Sequence, residues 1–339
     1  MNNQLKFYLS GGALALCVTS LLAGANGTGR SAQILHRDTL PKLSLTEFGY
    51  SQAELLLSTA FSVILTHDVV AGDHRDSIRI GRKKAPYYCN LPLTVENPAI
   101  RRAIIVIHGS SREAAEYYDT ILDTLPAGTD PARNWRQKTV VLAPHFQEKD
   151  DARRNEYWWK GDWKVGGDSG GISSFTVVDQ LVARLRGATF PNLKWIVITG
   201  HSAGGQFVQR YAAFTDIDLL PGPNAACVKF VPSNPSSYLY LNEYRFNEEL
   251  NAWVIPRGRK NKDYDKFKYG LDDLEDYAED RGASWARSHL PKRWVELLAG
   301  TADLVADSSF DDSREAMWQG NSRYERAQRF DAFMDGNKS

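Results

Sequence analysis

Ser202 has the clearest setting for nucleophilic chemistry in this chain. It lies at the centre of the motif Gly200–Gly204, of the form G-x-S-x-G, between an apolar run at 195–199 and a helix-compatible stretch at 206–214. A strand, this motif and a helix together form a tight turn that exposes a serine at the carboxyl edge of a sheet, above a helix N-terminus that favours negative charge. The spacing therefore predicts acyl transfer through a covalent intermediate on Ser202.

The same five-residue pattern recurs at Gly167–Gly171, where Ser169 is the serine. This second string also resembles the G-D-S-G-G sequence around the nucleophile of chymotrypsin-like proteases. No buried-strand run leads into it, however, and the sequence lacks the many short alternating strands and the several disulfides of such proteases. We therefore expect Ser169 to lie in a glycine-rich loop.

Two backbone donors are expected to stabilise the oxyanion that forms when Ser202 attacks. The first is the N–H of Ala203, and the second comes from the loop after the apolar strand 103–107. We assign the second donor to Ser110, with Ser111 as the alternative. A plain turn at the end of the strand is the competing interpretation of this loop. One such donor contributes about 3 kcal/mol of transition-state stabilisation.

Asp303 is the predicted carboxylate that would orient an imidazole base. It follows the apolar run 294–299, at a strand end where the acid of this arrangement is expected, and it comes after the serine in chain order. Asp307 lies one helical turn further on and is the alternative acid. A role for Asp303 as the cap of the following helix is the competing interpretation.

No histidine follows Asp303, although this arrangement places the base on a loop after the last strand. His289 precedes its strand and is expected at the opposite edge of the sheet, whereas the side chain of His201 should point away from the pocket. His145 is expected two strands from the nucleophile. The chain is therefore expected to stop about one strand and one histidine short. Its histidines are His36, His67, His74, His108, His145, His201 and His289.

Aromatic side chains are candidates for the wall of a substrate pocket. Trp158 and Trp159 follow the strand 139–143, and Tyr238 lies in the tyrosine-rich segment 233–290. Aromatic walls suit an apolar or ring-bearing acyl or alcohol group. Ordinary packing of a loop over the core explains the tryptophans equally well.

Composition and motifs exclude several function classes. The 339-residue chain carries 41 basic and 41 acidic residues, so it has no electrostatic footprint for nucleic acid or for a charged membrane surface. The sequence also has no metal-ligand spacing, P-loop or dinucleotide fingerprint, and we expect neither a metal nor a cofactor. It gives no indication of the oligomeric state.

The first 25 residues resemble a cleaved export signal. Lys6 provides a basic start, residues 7–22 are mostly apolar but short for a membrane span, and Ala23–Ala25 forms an A-x-A cleavage site. The mature protein is therefore expected to be secreted or periplasmic, without a stable membrane span. Cys89 and Cys227 would remain in it, and the sequence leaves their pairing open.

Residues 76–339 are predicted to form one α/β domain after a mixed extension, 26–75. Strands and helices alternate along the domain, which favours a mainly parallel sheet flanked by helices. The insertion at about 233–290 is expected to form a lid or pocket wall, with a surface excursion as the alternative. The predicted strands are 103–107, 139–143, 195–199, 228–231 and 294–299, and the predicted helices are 52–65, 174–185, 206–214, 271–285 and 324–334.

Several segments resemble a poorly characterised group of secreted microbial α/β-hydrolases. The resemblance implies the α/β-hydrolase fold, with the nucleophile at Ser202 and the acid at Asp303, whereas relatives continue into a last strand and a Gly-His loop. The expected activity is hydrolysis of a small-molecule or polymeric ester. The alternative is a catalytically silent or truncated hydrolase-fold protein with a binding role only. The resemblance covers roughly residues 80–335 and is carried by Phe190–Gln206, Arg210–Ala212, Asn234–Tyr238 and 300–330.

Overall fold

A mostly parallel sheet of eight strands forms the centre of the structure, and β8 and β9 form a separate sheet of two strands. The structure is a computed structural model that describes residues 33–35, 74–128, 134–219, 226–304 and 309–336. Its strands are β1 (Gln33–Leu35), β2 (Arg75–Ile80), β3 (Lys83–Cys89), β4 (Arg102–Ile107), β5 (Thr139–Pro144), β6 (Trp195–His201), β7 (Cys227–Ser233), β8 (Arg245–Asn247), β9 (Ala252–Val254) and β10 (Leu297–Ala299). The helices are α1 (Ala114–Thr124), α2 (Ser174–Leu185), α3 (Ala203–Phe214), α4 (Asp276–Arg281), α5 (Ala283–His289), α6 (Arg314–Met317) and α7 (Arg323–Gly336).

The strand order across the sheet brings the candidate site together. That order is β1-β10-β7-β6-β4-β5-β3-β2, with β10, β7, β6, β4 and β5 parallel to one another. Gly200 of β6 is in register with Ile107 of β4 on one side and with Pro232 of β7 on the other. Because parallel strands end at the same edge of a sheet, the segments that follow β4, β6, β7 and β10 lie at one edge.

Strand β4 explains why the sheet is buried on both faces. Its residues from Ala103 to Ile107 are at most 3% exposed. Ile105 and Ile107 belong to the main core beneath α2 and α3, whereas Ile104 and Val106 pack in a second cluster with α1. Successive side chains of a strand point to opposite faces, so a continuous apolar run needs a helix layer on each side. The prediction of a buried parallel sheet is confirmed.

The helices that flank the central strand β6 begin close to their predicted positions. Helix α2 has the predicted bounds, and its first turn is capped by the Ser173 hydroxyl, which accepts the N–H of Phe175 at 3.1 Å. Helix α3 begins at Ala203, three residues before the predicted start. It begins there because the chain turns directly from strand into helix at Ser202.

The segment 233–290 combines a small separate sheet, formed by β8 and β9, with the short helices α4 and α5. The predicted helix 271–285 is wrong in its bounds, because Gly282 has φ 81° and separates α4 from α5. Asp179 on α2 attaches this segment to the core by accepting the Tyr277 hydroxyl at 2.9 Å and the Tyr211 hydroxyl at 2.7 Å. A lid role for the segment stays a prediction.

Several predictions concern residues outside the described ranges, namely the export signal 1–25, most of the extension 26–75 and the alternative acid Asp307. Both Cys89 and Cys227 have free thiols, the first buried at the end of β3 and the second exposed at the start of β7. Among the helices described, none has both the length and the apolar character that a membrane span requires.

Candidate active site

Ser202 lies at the junction of β6 and α3 in a strained backbone conformation. Its φ is 56° and its ψ is −114°, a region that residues with a side chain rarely adopt. Its N–H donates to the carbonyl of Ser233, at the end of the neighbouring strand β7, at 3.0 Å. The Ser202 carbonyl accepts the N–H of Gln206 at 3.0 Å, which closes the first turn of α3. The serine is therefore held half-exposed at the carboxyl edge of the sheet.

Three glycines allow this turn to pack directly on the adjacent strands. A Cβ at Gly204 would collide with the carbonyl oxygen of Ile107, and one at Gly205 would collide with that of Ser233. A Cβ at Gly200 would lie 2.6 Å from the backbone of Gly204. The two glycines of the motif are therefore required by backbone contacts with each other and with β4. Gly205, which the motif does not include, is required by its contact with β7.

The predicted oxyanion donors lie at the ends of neighbouring strands. Ala203 is the first residue of α3 and is 3% exposed, whereas Ser110 is exposed in a turn after β4. That turn is closed by the N–H of Arg112, which donates to the carbonyl of Gly109 at 3.1 Å. Because β4 and β6 are adjacent and in register, both donors lie at the edge that carries Ser202. Their role stays a prediction.

Arg112 anchors the loop that carries Ser110. It has a positive φ of 61°, and its guanidinium donates to the carbonyls of Phe146 at 2.8 Å and Trp159 at 2.7 Å. Both acceptors belong to the segment after β5, so one side chain ties two loops of the same edge together. Arg112 was not predicted from the sequence.

Asp303 is held by two side chains whose role was likewise not predicted from the sequence. Its Oδ2 accepts the side-chain amide of Asn234 at 2.8 Å, and its Oδ1 lies 3.3 Å from the guanidinium of Arg323. The side-chain Oδ1 of Asn234 accepts the N–H of Gly300 at 2.9 Å, and the backbone N–H of Asn234 donates to the carbonyl of Leu298 at 2.9 Å. Asn234 therefore binds both the carboxylate and the turn that carries it.

Asn234 can do so because it directly follows β7 with a φ of 43°. Asparagine tolerates this left-handed conformation better than most residues with a side chain. An asparagine before a proline at the end of a buried strand was the available sequence signal. Ser202, Asn234 and Asp303 follow the adjacent strands β6, β7 and β10.

Within the described part of the chain, the Asp303 carboxylate has no histidine partner. His289 lies before β10 and stacks on Trp285, with ring centroids 3.7 Å apart. His145 follows β5, two strands from β6, and burial lowers its pKa. His201 is buried within β6 itself.

His108 is a structural histidine at the end of β4. Its Nε2 accepts the N–H of Phe146 at 3.1 Å, so its Nδ1 carries the proton and donates to the carbonyl of Gly109 at 2.9 Å. Complete burial lowers the pKa of His108 to about 3. The ring is therefore neutral near neutral pH, and both of its nitrogens are occupied.

Two of the three predicted pocket residues lie in the packed core. Trp159 is 1% exposed and contacts the ring of Phe146, and Tyr238 is fully buried with its ring stacked on Phe330 at 4.6 Å. Core packing therefore accounts for both side chains, in place of the predicted pocket wall. Trp158 is half-buried and keeps its predicted role as a candidate.

Ser169 lies in a loop, as expected for the second motif. Its N–H donates to the carbonyl of Ile172 at 2.9 Å, and Gly170 and Gly171 have positive φ values of 60° and 86°. The segment before it, Gly161–Val165, is a short 3₁₀ helix rather than a strand. The two copies of the same motif therefore have unrelated backbone settings.

Comparison with known proteins identifies the fold. No family model matches the chain, and no curated protein does. The poly(3-hydroxybutyrate) depolymerase from Bordetella parapertussis is similar in structure, with a TM-score of 0.50 and 22% identity over 77% of this chain and 78% of that one. Poly(aspartic acid) hydrolase-1 from Sphingomonas sp. KT-1 is similar with a TM-score of 0.51 and 23% identity, over 77% and 85%. The chain has the α/β-hydrolase fold.

Replacing Asn234 tests how Asp303 is held. We expect Asn234→Gly to lower the free energy of unfolding by about 1–3 kcal/mol, because the carboxylate and the Gly300 N–H lose a partner. Asn234→Ala should be about 1 kcal/mol less stable again, because alanine does not favour a positive φ. Urea denaturation measures both values. Equal stability of the two variants and the parent would contradict this account of Asn234.

The buried, neutral His108 predicts a pH dependence of stability. Between about pH 6 and pH 4 the unfolded chain protonates this histidine while the native state does not, so stability is lost as the pH falls. In His108→Gln this contribution disappears, and the slope of unfolding free energy against pH should decrease by up to about 1.4 kcal/mol per pH unit. Denaturation at several pH values measures the slope. A slope that is the same in both proteins would show that His108 takes up its proton in the native state.

Proposed function

We propose that this chain is a serine hydrolase that cleaves carboxylic esters through an acyl-enzyme on Ser202. One observation carries the proposal, the strained backbone of Ser202 at the junction of β6 and α3. A positive φ at a residue with a side chain persists only where the surroundings enforce it, and such residues concentrate at functional sites. Here the surroundings are the glycine contacts with β4 and β7.

The chemistry that this arrangement supports begins with attack of the Ser202 hydroxyl oxygen on the ester carbonyl carbon. The serine proton passes to a base, the C–O bond to the alcohol breaks, and the alcohol leaves with a proton. Water then attacks the acyl-enzyme and releases the carboxylic acid. The N–H groups of Ala203 and Ser110 are the proposed donors to the negatively charged oxygen in both steps.

Asp303 is the proposed orienting carboxylate for an imidazole. Its fixed position supports this role, because Asn234 and Arg323 hold it at the same sheet edge as Ser202. An imidazole oriented by Asp303 would have to accept the serine proton, and none of the histidines among the described residues is paired with Asp303. In subtilisin, loss of the histidine lowers kcat by about 10⁶-fold.

The ion pair between Asp303 and Arg323 favours a second candidate function, that of a hydrolase-fold protein that binds an ester or a related ligand without turnover. Its carboxylate is already paired with Arg323, a residue whose side chain is 3% exposed. The two candidates share the same binding edge. They differ in whether Ser202 becomes acylated.

We further propose that the protein acts outside the cytoplasm on a small-molecule or polymeric ester. The support for export is the basic, apolar and small-residue pattern of residues 1–25. Amino-terminal sequencing of the protein recovered from culture medium or periplasm tests it, with a mature start shortly after Ala25 as the expected result. A mature protein that retains Met1 would contradict the proposal.

A fluorophosphonate probe tests the nucleophile directly. We expect the parent protein to be labelled and Ser202→Ala to be unlabelled, as measured by intact mass. Ser169→Ala is the matched control, because Ser169 has the same five-residue motif in a loop, and it should be labelled like the parent. Equal labelling of the parent and Ser202→Ala would exclude Ser202 as the nucleophile.

Turnover of a p-nitrophenyl ester separates the two candidates. Hydrolysis that depends on Ser202, either alone or with added imidazole as an external base, supports the hydrolase. Binding of the ester without labelling and without turnover under both conditions supports the binding-only candidate.

A further inference from the structure

Four exposed cations lie within six residues of the segment 233–290, in the turn that follows β9. Only a glycine and an asparagine separate them. The whole chain carries 41 basic and 41 acidic residues, so its total charge gives no sign of this local excess. The four cations are Arg257, Arg259, Lys260 and Lys262.

Hydrogen bonds within the turn fix its backbone. Gly258 has φ 99° and ψ 156°, a combination that residues with a side chain rarely adopt. The backbone N–H of Asn261 donates to the carbonyl of Gly258 at 2.9 Å, and its side-chain amide donates to the carbonyl of Arg257 at 2.8 Å. The backbone that carries the cations is therefore ordered without a bound partner.

A second segment packs against the turn and adds a fifth cation. The indole N–H of Trp318 donates to the side-chain oxygen of Asn261 at 3.2 Å. The guanidinium of Arg314, an exposed residue on α6, donates to the carbonyl of Lys260 at 3.2 Å, across 54 residues of sequence. We call this group of five cations the basic turn, which consists of Arg257, Arg259, Lys260, Lys262 and Arg314.

The charges of the basic turn are largely uncompensated. Among the residues that the structure describes, no carboxylate lies within ion-pair distance of any of its cations except Lys262. The ammonium of Lys262 is 3.9 Å from Asp263, which lies closer to Lys266, at 3.3 Å. Asp312 and Glu315 are close to Arg314 in sequence and form no ion pair with it. The basic turn therefore presents a concentrated positive charge to solvent.

The basic turn offers a partner positive charge but no exposed aromatic ring. The side chain of Asn261 is already bonded at both its oxygen and its nitrogen. Two aromatic residues contact it, Trp318, which is half-buried, and Tyr264, which is 8% exposed. Proteins that bind single-stranded nucleic acid stack its bases on exposed aromatic side chains. The basic turn therefore suits an extended anionic surface better than a nucleic acid.

An exposed apolar side chain lies next to these charges. Met317 is 38% exposed and follows Arg314 by three residues, on the same side of α6. An anionic membrane binds both groups, because cations attract the lipid headgroups and an apolar side chain enters the boundary of the acyl chains. A polyanion in water would bind the cations but offers nothing to the methionine. The combination favours a membrane surface.

We propose that the basic turn docks the protein onto a membrane surface that contains anionic phospholipid. Binding is peripheral and electrostatic, and each cation near the surface raises the partition coefficient about fivefold. This docking is independent of acylation at Ser202, since none of the five cations is assigned to the candidate active site.

Sedimentation with lipid vesicles tests the docking. One set of vesicles contains phosphatidylcholine alone, and the other also contains about 30% phosphatidylglycerol, which makes the surface anionic. At low ionic strength we expect the protein to bind the anionic vesicles and to remain in solution with the neutral ones. High salt should release it, because salt screens exposed charges.

Removing three charges of the basic turn should weaken this binding. A variant with Arg257→Gln, Arg259→Gln and Lys260→Gln should bind the anionic vesicles about 100-fold more weakly, at about fivefold for each charge. Only backbone atoms of these residues take part in the hydrogen bonds of the turn, so we expect the variant to fold like the parent. Urea denaturation of both proteins checks this.

A matched control variant loses the same total charge from exposed cations in other parts of the chain. It should bind the anionic vesicles like the parent, because the docking depends on the local concentration of charge. The control substitutions are Arg79→Gln, Lys194→Gln and Lys292→Gln.

Three results would overturn the proposal. The first is equal binding of the parent to neutral and anionic vesicles, including no binding to either. The second is a basic-turn variant that binds as tightly as the control variant. The third is binding of linear polyphosphate at least as tight as that of anionic vesicles at the same phosphate concentration, which would assign the turn to a polyanion in solution.

Discussion

Backbone contact at the carboxyl edge of the sheet is the constraint on which the rest of this structure depends. The first turn of α3 lies against the carbonyl oxygens of Ile107 and Ser233, so closely that neither Gly204 nor Gly205 has room for a Cβ. The same contact forces the positive φ of Ser202 and supplies the acceptor for its N–H. A larger residue at either glycine would move α3 away from β4 and β7. It would also move the serine away from the loops after those strands.

The sheet and its principal helices could be predicted because their signals are local. Strand β4 is a continuous apolar run, and α2 begins at a serine cap followed by apolar residues at helical spacing. The segment 233–290 was less predictable. Its short elements depend on contacts with the core, such as the hydrogen bond from the Tyr277 hydroxyl to Asp179 on α2. Helical spacing in the sequence does not reveal that one residue, Gly282, adopts a positive φ and ends the helix there.

The candidate site also contains residues that could be predicted from the sequence and residues that could not. Ser202 and Asp303 were accessible from the sequence, because each follows a recognisable strand and their order along the chain is characteristic of the fold. Asn234 and Arg323 were not, since they reach Asp303 across 69 and 20 residues of sequence, and only the strand order brings them close. The pocket-wall prediction for the aromatic residues had a different weakness. A tryptophan or tyrosine after a strand has the same appearance in sequence whether it lines a pocket or fills the core, as Trp159 and Tyr238 do.

The electrostatics of this edge follow from how its carboxylates are used. Asp303 is paired with Arg323 and Asp311 with Lys268, so each of these carboxylates is held by a cation. His108 adds no charge because burial keeps its imidazole neutral near neutral pH. Attack by a serine hydroxyl on an ester creates a negatively charged oxygen, and fixed positive charge stabilises it most where water is partly excluded. At this edge the proposed donors to that oxygen are the backbone N–H groups of Ala203 and Ser110, which need no net charge of their own.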